Sequence, residues 1–198
     1  MLKLYRYLDK KYVDAFFDDG SLRLSCFSAF WRHNDAERCD RQEGNVISVY
    51  LTQENGGQTI LAKGVYGQNA YVLCTSIVCD EDLMKVFGCN SYMTINNPEQ
   101  FASVIKESIP SCYESFGASC IYQEQRIIQK DIGYIRVEDN ELREYLTAQL
   151  DRKAFFIKSK SYSHQNEFRF IWSTKESISN YIEIKVPEAR KFCSCINK

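Results

Sequence analysis

Short apolar stretches recur along the whole chain, and few of them repeat at helical spacing. Residues 21–28 (SLRLSCFS), 167–173 (EFRFIWS) and 181–186 (YIEIKV) alternate polar and apolar side chains, the period-two signature of strands. Residues 2–8 (LKLYRYL) and 91–96 also read as strands, and 46–52 with 58–66 as a hairpin about Asn55-Gly56-Gly57. Residues 70–78 (AYVLCTSIV) are nearly all apolar or small, which suits a central strand covered on both faces. Residues 118–129 are expected to form one further strand.

Helical periodicity is confined to four places. Residues 10–18 carry Val13, Phe16 and Phe17 on one face, with Asp9 as a cap and Asp18-Asp19-Gly20 as the stop. Residues 80–87 form a short helix that Gly88 ends. Pro98 opens a helix to about residue 109, with Phe101, Val104, Ile105 and Ile109 on one side. Residues 139–150 form the fourth, and 153–166 begin as its continuation and pass into a polar loop. The order is strand-rich and not regularly βαβ. The expectation is a single α+β domain over residues 1–198, of mixed, mostly antiparallel β-sheets with peripheral helices.

The totals exclude several functions. The chain has 198 residues with 44% hydrophobic and 26% charged, enough to bury a core. A net charge of −1 gives no field for binding nucleic acid through bulk charge. No run approaches the apolar length of a membrane span. Nine cysteines at irregular spacing, with no Cys-x-x-Cys and no apolar leader, fit reduced thiols in a cytoplasm. A zinc site would have to be assembled from Cys193, Cys195, His33 or His164, without paired ligand spacing. Thirteen tyrosines suit a partly wet groove or interface as well as an ordinary core.

Catalytic motifs are few. There is no Gly-x-Ser-x-Gly, no Walker loop and no Gly-x-Gly-x-x-Gly, so a hydrolase elbow, ATP chemistry and a Rossmann dehydrogenase are not expected. Three polar islands interrupt the apolar strands instead. Arg6 lies within Leu4-Tyr5-Arg6-Tyr7-Leu8, where a cation needs a partner or a groove. Cys74-Thr75-Ser76 ends the central strand. Gln165-Asn166-Glu167 enters the strand at 167–173, and Gln165 and Glu167 share a face if that strand has begun by Gln165. The plain alternative makes Arg6 the ion-pair partner of Glu167, Asp14 or Glu43, in one network with Arg169. The charged stretch from Arg38 to Glu43 is either solvated or a lid.

The three islands resemble the Arg–Ser-Thr-Ser–Glu pattern of the toxin-type ADP-ribosyltransferases. That resemblance implies a split sheet and NAD as the substrate, with no metal. Arg6 would hold the NAD phosphates, and Cys74, Thr75 and Ser76 would support the site. Gln165 would recognise the acceptor, and Glu167 would be catalytic. A longer match, from about residue 4 to 173, is similar to a large bacterial family of domains without assigned function. Its landmarks here are Tyr5-Arg6, Ser25-Cys26-Phe27-Ser28, Leu73-Cys74-Thr75-Ser76 and Glu167-Phe168-Arg169. Two other readings stay open. Glu183-Ile184-Lys185 has the Glu-x-Lys shape of a metal-dependent nuclease, with Asp131 or Glu167 as the second acid. The tyrosine-rich surface also suits a non-catalytic binding or inhibitor protein.

Overall fold

The computed structural model describes residues 2–31, 35, 37–41, 43, 46–52, 60–131 and 152–195; for 46–52, 60–65 and 129–131 it describes the backbone only. In chain order the elements are β1 (Leu4–Leu8), α1 (Lys10–Asp19), β2 (Ser21–Cys26), α2 (Phe27–Phe30), β3 (Val46–Thr52), β4 (Ile60–Val65) and β5 (Ala70–Ser76). Then come α3 (Glu81–Val86), β6 (Ser91–Ile95), α4 (Pro98–Lys106), β7 (Cys112–Ser119), β8 (Ile121–Gln123) and β9 (Ile127–Asp131). The last stretch holds β10 (Ile157–Ser159), a 3-10 turn (Lys160–Gln165), β11 (Glu167–Thr174), β12 (Ile182–Lys185), a second 3-10 turn (Pro187–Phe192) and β13 (Cys193–Cys195). Among the described residues strands dominate, the sheets are open and mostly antiparallel, and helices are few.

The main sheet has eight strands, all paired antiparallel. β11 lies between β5 and β7, while β6 lies between β1 and β13. The inner edge of β5 is divided between two partners. β1 meets it at Tyr5–Ser76, and β2 meets it at Ser25–Val72 and Cys26–Tyr71. β1 and β2 therefore fork apart along β5. Among the described residues there are two smaller sheets, β10–β8 and β4–β3–β9.

Core forms on both faces of the main sheet. On one face Leu4, Leu73, Met93, Ile95, Phe170 and Trp172 pack with Val13 and Phe16 of α1 and with Phe101 and Ile105 of α4. On the other, Val72 and Ile171 pack with Phe27, Tyr66, Ile128, Phe155 and Ile157. Each such side chain, fully buried, contributes about 1.5–3 kcal/mol. β11 is buried at every position because both faces are covered. Its sequence alternation thus separates two buried environments, one apolar and one charged.

Several local expectations hold in detail. Gly20 ends α1 in the left-handed region (φ 81°) and donates its N–H to the Phe16 carbonyl at 2.9 Å. Pro98 opens α4 as expected. The structure adds two caps: Asp80, expected within α3, stands ahead of it and accepts from the amides of Asp82 and Leu83, and Asn97 accepts from the Gln100 amide ahead of Pro98. Others change. Asp9 takes the N-cap position of α1 without a side-chain hydrogen bond. The strand expected over 118–129 is three strands, β7, β8 and β9, because pairing with β11, β10 and β3 claims separate pieces. The expected helix at 139–150 and the turn at Asn55-Gly56-Gly57 lie outside the described residues. Among the described residues, no helix is long and apolar enough to cross a membrane.

Candidate functional site

Sheet register brings the three polar islands into adjacent strands. Tyr5 pairs with Ser76, and Ser76 pairs with Glu167, so β1, β5 and β11 are aligned in one row. The pleat then sorts the side chains by face. Cys74, Ser76, Glu167 and Arg169 leave one face; Arg6, Thr75 and Phe168 leave the other. Ser76 Oγ donates to the Gln165 carbonyl at 2.9 Å, which ties the middle island to the late one. Thr75 Oγ1 donates to the Phe168 carbonyl at 2.9 Å.

Gln165 is not on a strand. It ends the 3-10 turn, and Asn166 follows in the left-handed region (φ 44°), so β11 starts only at Glu167. The condition under which strand alternation would align Gln165 with Glu167 is therefore not met. The two side chains nevertheless meet, through Lys158. Its Nζ donates to Gln165 Oε1 at 2.7 Å and also to Glu167 Oε2.

Around Glu167 the charges are balanced and buried. Arg169 Nε donates to Glu167 Oε1 at 2.6 Å, Arg169 Nη1 to the Phe155 carbonyl at 2.8 Å, and Arg169 Nη2 to Glu43 Oε1. Arg169 is 0% exposed, Glu43 2%, Glu167 4% and Lys158 6%. Burial alone would push the Glu167 carboxyl upward, but Arg169 and Lys158 outweigh it and hold the group well below the usual carboxylate range. Burial likewise opposes the charge on Lys158, and Glu167 and Glu43 overcome it, raising the ammonium above its ordinary value. Tyr122 completes the environment: its hydroxyl accepts the Glu167 amide at 2.7 Å, and burial pushes its own pKa to about 12.

The network continues to the surface. Gln165 Nε2 donates to the Glu37 carbonyl at 2.8 Å, and the Glu37 carboxylate meets His164 Nε2 at 2.8 Å. Tyr162 donates its hydroxyl to the Cys39 carbonyl at 2.8 Å, with its ring beneath the Lys158 ammonium. Arg126 pairs with Asp40 nearby. The charged stretch after residue 35 is therefore anchored, and Asp40 and Glu43 point inward. A wholly solvated reading of Arg38 to Glu43 is corrected.

Arg6 stands apart from this cluster. It opposes Met93 on β6, on the Leu4 face, and its Nη2 donates to the Arg23 carbonyl at 3.2 Å, where β1 and β2 fork. Its Nη1 is buried without a hydrogen-bond partner. Burial lowers its pKa to about 10. None of the three suggested acids pairs with it: Glu167 and Glu43 hold Arg169, and Asp14 holds Lys10 at 2.6 Å.

The remaining candidates lie elsewhere. Glu183 and Lys185 are exposed on β12, at the margin of the sheet, and Lys185 pairs with Asp19 at 2.7 Å. The Asp131 side chain and His33 are outside the described residues. Among the described residues, no three His, Cys, Asp or Glu side chains gather closely enough to hold a metal. An open hollow of about 530 Å³, lined by Ile121, Gln123, Lys153 and Ile157 among others, contains none of the motif residues.

No protein-family model, no curated protein and no solved structure matches the chain.

Proposed function

We propose that the chain is an ADP-ribosyltransferase-like protein that uses NAD, transferring its ADP-ribose or hydrolysing it. The observation that carries this reading is the row Tyr5–Ser76–Glu167, which sets the three motif-bearing strands side by side although about 70 and 90 residues of chain separate them.

The chemistry assigns a task to each motif residue except Arg6. The bond from the ribose C1′ to the nicotinamide nitrogen breaks, and nicotinamide leaves with the electron pair. The cationic ribosyl centre is oxocarbenium-like, as in glycoside cleavage. Glu167, held ionised, supplies the opposing charge. Gln165 orients the acceptor or water, whose oxygen or nitrogen bonds to C1′ as its proton leaves. Cys74, Thr75 and Ser76 brace the strand from which the site is built. Arg6 leaves the face of the sheet opposite Glu167, with its unpaired Nη1 enclosed, so this reading gives it no part in holding the same NAD molecule.

A second reading has its own observation. Both Glu167 oxygens are engaged by Arg169 and Lys158, and the residue is 4% exposed. That closure favours a non-catalytic binding protein in which the cluster is framework. Incubation with NAD in EDTA decides between them. Nicotinamide release that disappears in Glu167→Gln is the result expected of the transferase. No release from the folded wild-type chain, with no heat of NAD binding, overturns it in favour of the binder.

A further inference from the structure

We infer that Lys158 is the positioning residue of this site: its ammonium aligns the Gln165 and Glu167 side chains on one point. The inference rests on the NAD reading for its purpose and on geometry for its content.

A Gln-x-Glu pair needs something to aim both side chains at one point. A continuous strand does this by its pleat, since residues two apart share a face. Here the pleat is not available to Gln165, because the left-handed Asn166 separates the 3-10 turn from β11. Lys158 supplies the alignment from a third element. It sits on β10, which is held parallel to β8 with Lys158 opposite Tyr122. Tyr122 in turn accepts the Glu167 amide at 2.7 Å. The ammonium rests over the Tyr162 ring at 4.9 Å from its centroid, and its Nζ reaches both Gln165 Oε1 and Glu167 Oε2. An ammonium donates along three directions, so two acceptors and a ring face fill its coordination.

Arg169 has a different part. It binds the other Glu167 oxygen and Glu43, and its hydrogen bonds go to Glu167, Phe155 and Glu43 rather than to Gln165. Removing Lys158 would leave Glu167 anchored but would free Gln165 Oε1 and take away one of the two cations that oppose protonation in a dry setting.

The experiment compares Lys158→Met and Lys158→Arg with the wild-type chain, following the Glu167 carboxyl carbon by NMR against pH, assigned by its loss in Glu167→Gln. The expected result is a Glu167 midpoint about one to three units higher in Lys158→Met, with the Gln165 side-chain amide signals displaced, and recovery of both in Lys158→Arg. Nicotinamide release should then fall in kcat by about a hundredfold, the cost of ångström-scale misplacement, with KM little changed. A Glu167 midpoint and Gln165 signals that stay at wild-type positions overturn the role of Lys158, whatever the activity. Should Lys158→Met fail to fold, Lys158→Gln gives the same titration with the stem and a donor retained. Absence of nicotinamide release in the wild-type chain would count against the NAD reading alone, because the titration still decides what Lys158 does.

Discussion

Arg169 and Glu43 form an ion pair in which both partners are buried, although 126 positions of sequence separate them. Breaking a buried pair from one side strands the other charge in a medium that cannot solvate it. Glu43→Ala and Arg169→Met are each expected to cost about 3–5 kcal/mol of folding stability, read from urea denaturation midpoints. A loss below about 1 kcal/mol, typical of an exposed pair, would show that water reaches the site.

The same cluster sets the pH dependence of stability. The Glu167 carboxyl is depressed by folding, so its contribution is fully present above its ordinary value of 4.5 and drains away as the pH falls below that. Lys158 is raised, so its contribution is present below its ordinary value of 10.5 and is lost as the pH climbs past it. As far as these two groups decide, stability should be level between those limits. Glu167→Gln should flatten the acid limb of a plot of urea midpoint against pH.

Arg6→Met separates the fork from the Glu167 face. The substitution removes one buried donor without an acceptor and one long hydrogen bond to the Arg23 carbonyl, so stability should change by less than about 1 kcal/mol. NAD affinity measured by calorimetry should stay at the wild-type value, because Arg6 leaves the opposite face of the sheet. A loss of about tenfold or more, the worth of one charge-assisted hydrogen bond, would bring Arg6 into the site.

Gly20 is constrained twice. Its φ is +81°, and an added Cβ would lie 2.3 Å from the Pro187 nitrogen and 2.5 Å from the Val186 carbonyl carbon, both backbone atoms. Gly20→Ala should cost about 1–3 kcal/mol in chemical denaturation. A neutral substitution would mean that α1 and the chain at Val186 do not approach this closely in solution.

The cysteines should react in order of burial. Cys79 is exposed and should be labelled first by a thiol reagent at neutral pH. Burial pushes Cys120 to about 12, so it should label only as the chain opens in denaturant. Rapid labelling of Cys120 in the native state would place the cluster beside water.

The sequence was most readable where periodicity is long. The central strand at 70–78, the helix ended by Gly20 and the strand at 167–173 follow from the spacing of apolar residues alone. β13 was invisible, since Cys193-Ser194-Cys195 is too short to display a period. Among site residues, Ser76, Gln165 and Glu167 stood out as polar interruptions of apolar strands. Glu43 is legible only as one possible ion-pair partner of Arg6, and Lys158 not at all, because a lysine among Lys153 and Lys160 reads as solvated by default. Only the pairing of β10 with β8 and the reach of Arg169 turn them inward, and neither has a local signal.

The placement of β11 also governs when the protein can become itself. This strand carries Glu167 and Arg169, and it pairs with β5 and β7 on either side, so the charged centre draws on parts of the chain that are synthesised far apart in time. A growing polypeptide that has emerged only through β7 has no anion or cation from β11 to assemble around, and Glu43 must wait in water for its counterpart. Loops this long close slowly, because their entropy is lost before the contacts that reward it form. Docking of the last quarter of the molecule is therefore the event that creates the centre, and any chain cut short before residue 167 is born without one.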